Sequence, residues 1–412
     1  SLPRPSRWSG ISTRAKILTA AVTLVIGVSI PVTLSLLQDK GDGSSSGASS
    51  SPFLGPYLST SVPNAGTYAT FSPDGKLIAA AGSTTVQLLL ASGGTAQILD
   101  RQTHPLFSGA GNLLATVDAR STAKMTVHLW DTATNDTSSP STSSSPSTPS
   151  SATDIATGAP ASVTMAFSPR GDLLATASGL AATENYGNPI RLWNTSTGRL
   201  VATLTGFDNG VQSIVFTPDG KTLAAGAAGN PGTVKVWDVT TGKLTATLPT
   251  GYVIALSPDG KTLATSSEFA ADHKASLWDI TTGKRIAALA KGRPLGFSGD
   301  GQLLALSNDT DQVQVWRVSN RERERVFSGM TTAEFASTGE RLALISTTGT
   351  GLLVDYASST SAKTLASYTG TPANIQSIAF AAGGDTLTTA SKDGTVQVWM
   401  ANWPSWVSPS PS

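Results

Sequence analysis

The chain lacks cysteine throughout its 412 residues. This absence excludes a disulfide scaffold, a thiolate zinc site and a lipid-bearing N-terminal cysteine. Charged residues are also few, at 13% of the chain. The first 16 residues hold four basic side chains and no acidic one, so the remainder has 24 basic against 27 acidic residues, or −3. That balance provides no electrostatic footprint for a nucleic acid, and we predict no nucleic-acid partner.

Signatures of catalysis are missing as well. His128 lies in a strand-like run and is predicted to be structural, whereas His104 and His273 are predicted to be solvated loop residues. The stretch 43–47 matches Gly-x-Ser-x-Gly, but it lies in a Gly/Ser-rich segment rather than at a strand-to-helix turn. The run 308–311 is interpreted as a polar turn rather than a cation site. We therefore predict a protein that is not an enzyme, with no catalytic residue, no cofactor and no metal.

One short phrase, by contrast, recurs eight times along the chain. It reads Phe-Ser-Pro-Asp-Gly-Lys-Leu in its first copy. The copies begin at Phe71, Phe107, Phe167, Phe216, Leu256, Phe297, Phe335 and Phe380. Successive starts are 36 to 60 residues apart. Such self-similarity indicates a repeat architecture with one small structural unit per repeat.

The fourth copy shows what one repeat encodes. The apolar run 211–216 predicts a strand, and Thr-Pro-Asp-Gly at 217–220 predicts a tight turn into a second strand. Residues 233–238 alternate polar with apolar, as a half-buried strand does, and 244–248 form a fourth strand. Four short antiparallel strands bury little surface alone. Radial stacking against neighbouring repeats would bury both faces of each sheet.

The third strand of most repeats ends in Val-x-Val/Leu-Trp, often followed by Asp and then by x-Thr-x-Gly, and this phrase resembles the WD-repeat family of β-propellers. The tryptophans that occupy this place are Trp130, Trp193, Trp237, Trp278, Trp316 and Trp399. The resemblance implies an all-β propeller in which each tryptophan packs between neighbouring blades. Leu89 and Val354 stand at the equivalent place in the first and seventh repeats. Gly-Phe-Asp-Asn at 206–209 replaces the family's Gly-His-Asp, so the family's buried His-to-Trp relay is not expected.

Eight turn signatures predict eight blades, with seven as the alternative. The final repeat supplies only three strands before Trp399, whereas an unassigned strand, Pro56–Val62, precedes the first signature. This strand aligns with the last strand of a blade. We therefore predict a monomeric propeller over residues 56–402, in which Pro56–Val62 completes the last blade.

The N-terminal part of the chain has a different character. Residues 17–37 are 21 residues without a charge, which is enough to span a bilayer core as a helix. Basic residues precede this run and acidic residues follow it, so the positive-inside rule places the N-terminus in the cytoplasm. We predict a cytoplasmic segment at 1–16, a single transmembrane helix at 17–37 and a flexible linker at 38–55. A cleaved secretory signal is the alternative, and it also places the propeller beyond the membrane.

Two further segments, 132–152 and 403–412, are rich in Ser, Thr and Pro and are predicted to be disordered. In a blade, the turn after the third strand lies on one face of the disc, and the loops after the second and fourth strands lie on the other. The linker, the insertion and the C-terminus all leave from the first face, which we predict looks toward the membrane. The opposite face is predicted to bind a ligand through Tyr186, Phe207, Tyr252, Phe269 and Arg293. In the alternative interpretation, these loop aromatics fold back onto the blades.

The sequence thus predicts a membrane-anchored, extracytoplasmic scaffold or sensor module that binds a protein, a peptide or a wall polymer. Its layout resembles the transmembrane-plus-propeller portion of bacterial receptor-like Ser/Thr protein kinases. The sequence begins with Ser1 rather than Met, which leaves room for an upstream segment, and no kinase motif occurs within it. A secreted propeller hydrolase or lyase that acts on an extracellular polymer is the alternative, and a purely structural scaffold is a third possibility.

Overall fold

The computed structural model of the protein describes residues 58–61, 68–82, 84–118, 126–132, 151–157, 163–178, 189–227, 232–251, 253–266, 274–339, 341–346, 348, 350–356, 363–369, 375–391 and 394–400. These residues form thirty-two β-strands. Among them, no helix is long and apolar enough to cross a membrane. The predicted transmembrane helix at 17–37 lies outside the described residues, so it stays a prediction.

The strands form eight four-stranded antiparallel sheets, which we call blades 1 to 8. Blade 1 contains β2 (Tyr68–Phe71), β3 (Leu77–Ala81), β4 (Thr85–Leu90) and β5 (Thr95–Asp100). Blade 2 contains β6 (Gln102–Phe107), β7 (Leu113–Asp118), β8 (Thr126–Asp131) and β9 (Ser151–Ala156). Blade 3 contains β10 (Val163–Phe167), β11 (Leu173–Ser178), β12 (Ile190–Asn194) and β13 (Leu200–Leu204). Blade 4 contains β14 (Val211–Phe216), β15 (Thr222–Ala227), β16 (Thr233–Asp238) and β17 (Leu244–Leu248).

The second half of the ring repeats this pattern. Blade 5 contains β18 (Val253–Leu256), β19 (Thr262–Ser266), β20 (Lys274–Asp279) and β21 (Arg285–Lys291). Blade 6 contains β22 (Arg293–Phe297), β23 (Leu303–Ser307), β24 (Gln312–Arg317) and β25 (Arg323–Ser328). Blade 7 contains β26 (Met330–Phe335), β27 (Arg341–Ser346), β28 (Thr350–Asp355) and β29 (Lys363–Thr369). Blade 8 contains β30 (Ile375–Phe380), β31 (Thr386–Ser391), β32 (Thr395–Met400) and β1 (Leu58–Ser61).

The blades form a closed ring in which each blade contacts the next. The first strand of every blade lies innermost, and contacts run from β6 through β10, β14, β18, β22, β26 and β30 to β2, while β3 meets β6. Closure depends on β1, which pairs with β32 so that Leu58 lies opposite Val398 and Ser61 opposite Thr395. The prediction of eight blades is confirmed. The predicted role of the strand at 56–62 is confirmed for its described part, 58–61.

Apolar clusters fill the space between neighbouring blades. Trp237 of blade 4 packs against Ile190 and Leu192 of blade 3, whereas Val236 faces the other way, toward Trp278 of blade 5. Side chains that alternate along a strand point to opposite faces of the sheet, so each blade contributes to two clusters. A single blade has no core of its own, and the closed ring is what buries both of its faces.

The tryptophan positions anchor these clusters. Trp237 and Trp399 are 1% exposed, and Trp130 and Trp316 are half-buried. In blades 1 and 7, the buried side chains of Leu89 and Val354 take the same place. Four indole nitrogens donate to a threonine hydroxyl on the second strand: Trp130 to Thr116 (2.7 Å), Trp193 to Thr176 (2.9 Å), Trp278 to Thr265 (2.9 Å) and Trp399 to Thr389 (3.0 Å).

Two of these threonines have a further polar partner. The Thr116 hydroxyl donates to Gln102 Oε1 at 2.6 Å, and the hydroxyls of Thr265 and Thr250 lie 2.7 Å apart. As expected from the sequence, no histidine joins these chains among the described residues. A glutamine or a threonine extends the hydrogen-bond chain to the indole instead.

The recurring Ser/Thr-Pro-Asp-Gly phrase builds the turn between the first two strands. In blade 4, Asp219 Oδ1 accepts the Thr217 hydroxyl at 2.6 Å and the Lys221 N–H at 3.0 Å. These hydrogen bonds hold the pKa of Asp219 below its usual value, and the bond from the Thr217 hydroxyl has the larger effect. Gly220 has a φ of +69°, which a side chain would strain. The N–H of the final glycine donates to the carbonyl of the first turn residue in all eight blades. The aspartate accepts the turn hydroxyl in blades 1, 4, 5 and 6, so the backbone turn recurs while its side-chain bonds vary.

The segment predicted to be disordered, 132–152, is ordered at both of its ends. The Thr132 N–H donates to Asn112 O at 3.0 Å, and β9 begins at Ser151. The boundaries are corrected because a backbone bond holds Thr132, and pairing with Trp130 holds Ser151. Residues 133–150 lie outside the described part.

The strand order fixes which end of the disc each chain segment leaves from. We call face one the side with the turns between first and second strands and between third and fourth strands, and face two the opposite side. Because strands alternate in direction, Leu58, Asp131, Ser151 and Met400 all lie at face one. The segments that continue from these residues therefore start on one side of the propeller.

Candidate functional site

The inner strands surround the axis of the ring and form the wall of its central channel. We number wall positions by their distance from the closing residue of each inner strand, which is Phe71 in blade 1 and Phe380 in blade 8. In most blades, the residue three positions before the closing residue has a hydroxyl or another polar side chain. We call these residues the middle layer. The side chains there that retain exposure are Tyr68, His104, Thr164, Ser213, Thr332 and Ser377. Because these residues lie on innermost strands, their exposure is to the channel.

Polar side chains of the wall also cover the unpaired edge of the next inner strand. Ser377 Oγ accepts the Ala69 N–H at 3.0 Å across the junction of blades 8 and 1. The Thr164 hydroxyl donates to Val211 O at 2.8 Å across the junction of blades 3 and 4. An innermost strand has backbone groups that no further strand pairs, and these side chains satisfy some of them. The wall is therefore polar without being strongly charged.

Glu334 breaks that pattern. One residue before the closing position, seven blades carry uncharged side chains: Thr70, Leu106, Ala166, Val215, Ala255, Gly296 and Ala379. Blade 7 carries Glu334, which is half-buried and accepts the Phe380 N–H at 3.3 Å. Burial raises the pKa of Glu334 to about 7, and the N–H bond opposes this shift in part. At neutral pH this carboxyl is divided between its charged and neutral forms.

His104 is the second titratable group on the inner strands that stands out. It lies in β6, where the register shifts between Thr103 and Leu106, and its φ is +52°. Its Nδ1 lies 3.0 Å from the Thr103 hydroxyl, and partial desolvation of the imidazole by the surrounding protein lowers its pKa although the side chain retains contact with solvent. The sequence analysis placed His104 in a surface loop. This placement is corrected: Pro105 lacks an N–H, and the irregular strand accommodates it beside an exposed histidine.

His128 lies on β8, as the sequence predicts, and joins two carboxylates. Its Nδ1 lies 2.6 Å from Asp154 Oδ1 on β9, and its Nε2 lies 3.7 Å from Asp118 Oδ2 on β7. The ring is also 5.9 Å from that of Trp130 on the same face of the strand. These contacts join the three outer strands of blade 2. They support a structural role, because none of the three residues lies on an inner strand.

The five predicted binding residues are separated by the structure into different environments. Tyr186, Tyr252 and Phe269 lie outside the described residues. Arg293 begins β22 at face two and is exposed, in agreement with its predicted place. Phe207 lies in the loop before β14 and is only 3% exposed.

The burial of Phe207 removes it from the predicted binding surface, agrees with the alternative in which loop aromatics fold back onto the blades, and has a clear cause. Its ring packs edge-on against Trp237 at 5.6 Å, with Lys235 Nζ 5.7 Å from the ring centre. Blade 4 has Ala225 where other blades place the threonine that accepts the indole N–H. An aromatic ring therefore covers Trp237 in the place of a polar relay. The signal was present in the sequence, since Gly-Phe-Asp replaces Gly-His-Asp here.

Eight four-stranded sheets around one axis define an eight-bladed β-propeller. The family described as WD domain, G-beta repeat matches residues 198–238, 242–279 and 362–400, so these three segments are similar to WD40 repeats. Each match runs from the outer strand of one blade to the third strand of the next, as from β13 to β16. This offset explains why the last repeat ends at β32 and β1 must complete blade 8. No curated protein matches the chain significantly.

Proposed function

We propose that the protein is a membrane-anchored, extracytoplasmic propeller that binds a protein partner through face two. The observation that carries this proposal is the common origin of the chain segments at face one. Leu58 follows the linker, Met400 precedes the C-terminal tail, and residues 131 and 151 flank the Ser/Thr/Pro-rich insertion. A tether and two bulky segments on one side leave face two as the accessible side.

A binding role suits the architecture. A propeller with WD40 repeats fits a protein-binding scaffold, since a ring of paired strands is a rigid frame from which loops can bind a partner. Arg293 is exposed on that face, and arginine is frequent in recognition surfaces. The single apolar run at 17–37 and the basic residues before it support the anchor.

Photo-crosslinking tests the choice of face. A crosslinking amino acid would replace Arg293 at face two or, as the matched control, Arg323 on the outermost strand of blade 6, in the full chain expressed in cells. We expect a specific protein adduct at position 293 and none at 323. Adducts at 323 alone, or equally at both positions, would contradict binding through face two.

The proposed orientation across the membrane has a separate test. The chain has no cysteine, so a Thr95→Cys variant carries a single thiol on an exposed outer strand. A membrane-impermeant maleimide should label intact cells at this position. Labelling only after lysis would show that the propeller lies in the cytoplasm.

A sensor role in a Ser/Thr kinase system is the finer form of this proposal. It is supported by the order of basic segment, apolar run, linker and propeller. The coding sequence upstream of Ser1 provides the test. A Gly-rich loop and a His-Arg-Asp motif are expected there, and a different reading frame without them removes the kinase link.

A secreted hydrolase or lyase is the second candidate, since a histidine and a carboxyl both lie on inner strands. His104 belongs to blade 2 and Glu334 to blade 7, and each bonds to a local partner rather than to the other. Polymer-degrading activity that disappears in both His104→Gln and Glu334→Gln would favour this candidate. Activity that is absent, or unchanged by both substitutions, would remove it.

A further inference from the structure

Exposed apolar side chains are concentrated on one part of the outer rim. Among the described residues, five large apolar side chains are exposed, and all five lie on outermost strands. Four of them belong to three consecutive blades: Leu200 and Val201 of blade 3, Leu244 of blade 4 and Ile286 of blade 5, at 49%, 57%, 41% and 41% exposure. The fifth, Ile98, lies far along β5, toward face two. The first four stand at the beginning of their strands, at the edge of face one.

Basic side chains lie directly before these apolar ones. The turn into each outer strand ends in Gly-Arg199, Gly-Lys243 or Gly-Lys284, and Arg285 begins β21. All four cations are exposed. The carboxylates in these turns, Asp238 and Asp279, accept backbone N–H bonds from Thr241 and Thr282, both at 2.8 Å, which fixes them within the turns. Four cations against two carboxylates leave this stretch of the rim positively charged.

Blades 1 and 6 do not repeat this combination. At the position equivalent to Leu244, blade 1 has Thr95 and blade 6 has Arg323, followed by Glu324 and Arg325. The alternating charges of blade 6 keep its exposed edge strand solvated. In blades 3 to 5, cations lie beside exposed Leu, Val and Ile. This combination suits a surface whose outer layer is anionic and whose interior is apolar. We call the basic and apolar side chains of blades 3 to 5 the rim patch.

The place of the rim patch in the ring points to its occupant. The linker joins the propeller at β1 in blade 8, and blade 4 is four blades away in a ring of eight, directly across it. Both lie at the edge of face one. A tether at one edge and the rim patch at the opposite edge therefore meet the same plane when face one turns toward the membrane.

We propose that the rim patch docks on the surface of an anionic lipid bilayer, so that the propeller lies with face one against the membrane that anchors it. This inference rests on the anchor in the proposed function. The cations contact headgroup phosphates, and the apolar side chains enter the interfacial layer. Each basic side chain near an anionic surface strengthens association about fivefold. The patch is small, but the tether keeps it at high effective concentration near the bilayer.

Depth-dependent fluorescence quenching in nanodiscs tests this docking. The full chain, with one cysteine at Leu244 and an environment-sensitive fluorophore on it, would be reconstituted at one chain per nanodisc. Discs of phosphatidylcholine with one quarter phosphatidylglycerol would be compared with discs of phosphatidylcholine alone, both with headgroup-proximal doxyl lipid as quencher. Ile98→Cys is the matched control, because Ile98 is also an exposed apolar residue of an outermost strand but lies toward face two.

We expect quenching at position 244 to exceed that at position 98 at least about twofold in anionic discs. It should fall toward the control value in neutral discs and in Lys243→Glu/Lys284→Glu, whose exposed positions leave the core intact. Lys291→Glu, an exposed reversal at the face-two end of β21, should leave the quenching unchanged. Unaltered quenching in the double variant would overturn the electrostatic part of the contact and with it the proposal.

The remaining outcomes separate this inference from the anchor. A chain that co-purifies with nanodiscs while position 244 shows no more quenching than position 98 overturns the docking alone. A chain that does not co-purify with nanodiscs overturns the anchor and the docking together. A fluorescence change that occurs only when two chains share one disc identifies a second copy as the occupant and overturns the contact with lipid.

Discussion

Blades 4 and 5 are adjacent in the ring, yet they surround their repeat tryptophans differently. In blade 5, Trp278 donates to Thr265, whose hydroxyl meets that of Thr250 in the preceding loop. In blade 4, the preceding loop supplies Phe207, whose ring covers Trp237 beside Ala225. One position in the repeat is thus filled either by a polar chain or by an aromatic contact. The comparison teaches that the repeat requires cover for the indole rather than a particular residue.

Truncation of the aromatic cover should have the largest effect. Phe207→Ala removes a ring that is 3% exposed and leaves a cavity against Trp237, at an expected cost of about 3–4 kcal/mol. Urea denaturation of the purified chain measures this loss. Phe207→Leu, which keeps most of the volume, is the control and should lose clearly less. Equal losses in the two variants would show that cavity formation is not the cause.

The polar arrangement of blade 5 should be somewhat less sensitive. Thr265→Val keeps the shape but leaves the indole N–H of Trp278 and the Thr250 hydroxyl without their shared partner. We expect a loss of about 2 kcal/mol in urea denaturation. Thr265→Ser keeps the hydroxyl and should retain most of the stability. A Val variant as stable as the Ser variant would show that the hydrogen-bond chain contributes nothing.

Glu334 allows a similar comparison on the channel wall, because blade 7 has a carboxyl at a position where the other seven blades have uncharged residues. The pKa of Glu334 in the folded protein, about 7, lies above its ordinary value. Its contribution to the stability of the fold is therefore most favourable at low pH. That contribution is lost as the pH rises through about 7. Relative to Glu334→Gln, the wild-type protein should therefore become less stable between about pH 5 and 8, by on the order of 2 kcal/mol.

Thermal unfolding of both forms across this pH range measures the difference. The lowered pKa of His104 acts in the opposite direction, but it is present in both proteins and cancels in the comparison. A stability difference that does not change with pH would mean that Glu334 keeps an ordinary pKa in the channel.

The smallest effect is expected at the cation beside the aromatic cover. Lys235 Nζ lies 5.7 Å from the centre of the Phe207 ring, in an arrangement that is favourable for a cation–π contact. Lys235→Met keeps the aliphatic contact and removes the charge, so we expect a loss of about 0.5–1 kcal/mol in urea denaturation. The same substitution combined with Phe207→Leu should cost nothing further. An equal cost in both backgrounds would assign the effect to something other than the ring.

The ring architecture could be predicted from the sequence because its signals are local and repeated. The final glycine of the turn phrase makes the same backbone hydrogen bond in all eight blades, and strands such as Val211–Phe216 and Thr233–Asp238 have the predicted bounds. Pairing of β1 with β32 followed from a simple count, since the last repeat was one strand short.

The features that escaped prediction depend on what surrounds a residue in space. Phe207 is a loop residue by sequence, but the absence of a hydroxyl at Ala225 on another strand leaves room for its ring. His104 precedes a proline, which favours a loop, yet an irregular strand accommodates both residues. Glu334 becomes unusual only when the eight copies are aligned at the position before the closing residue.

Closure by β1 has a mechanical consequence. The strand nearest the predicted membrane tether is also the strand that completes the ring, and it pairs with β32 over four residues. Any pull transmitted along the tether reaches this pairing before it reaches the rest of the toroid. Detachment of β1 would open blade 8 and uncover the edge of β32, so tension at the membrane and integrity of the ring are coupled at a single seam.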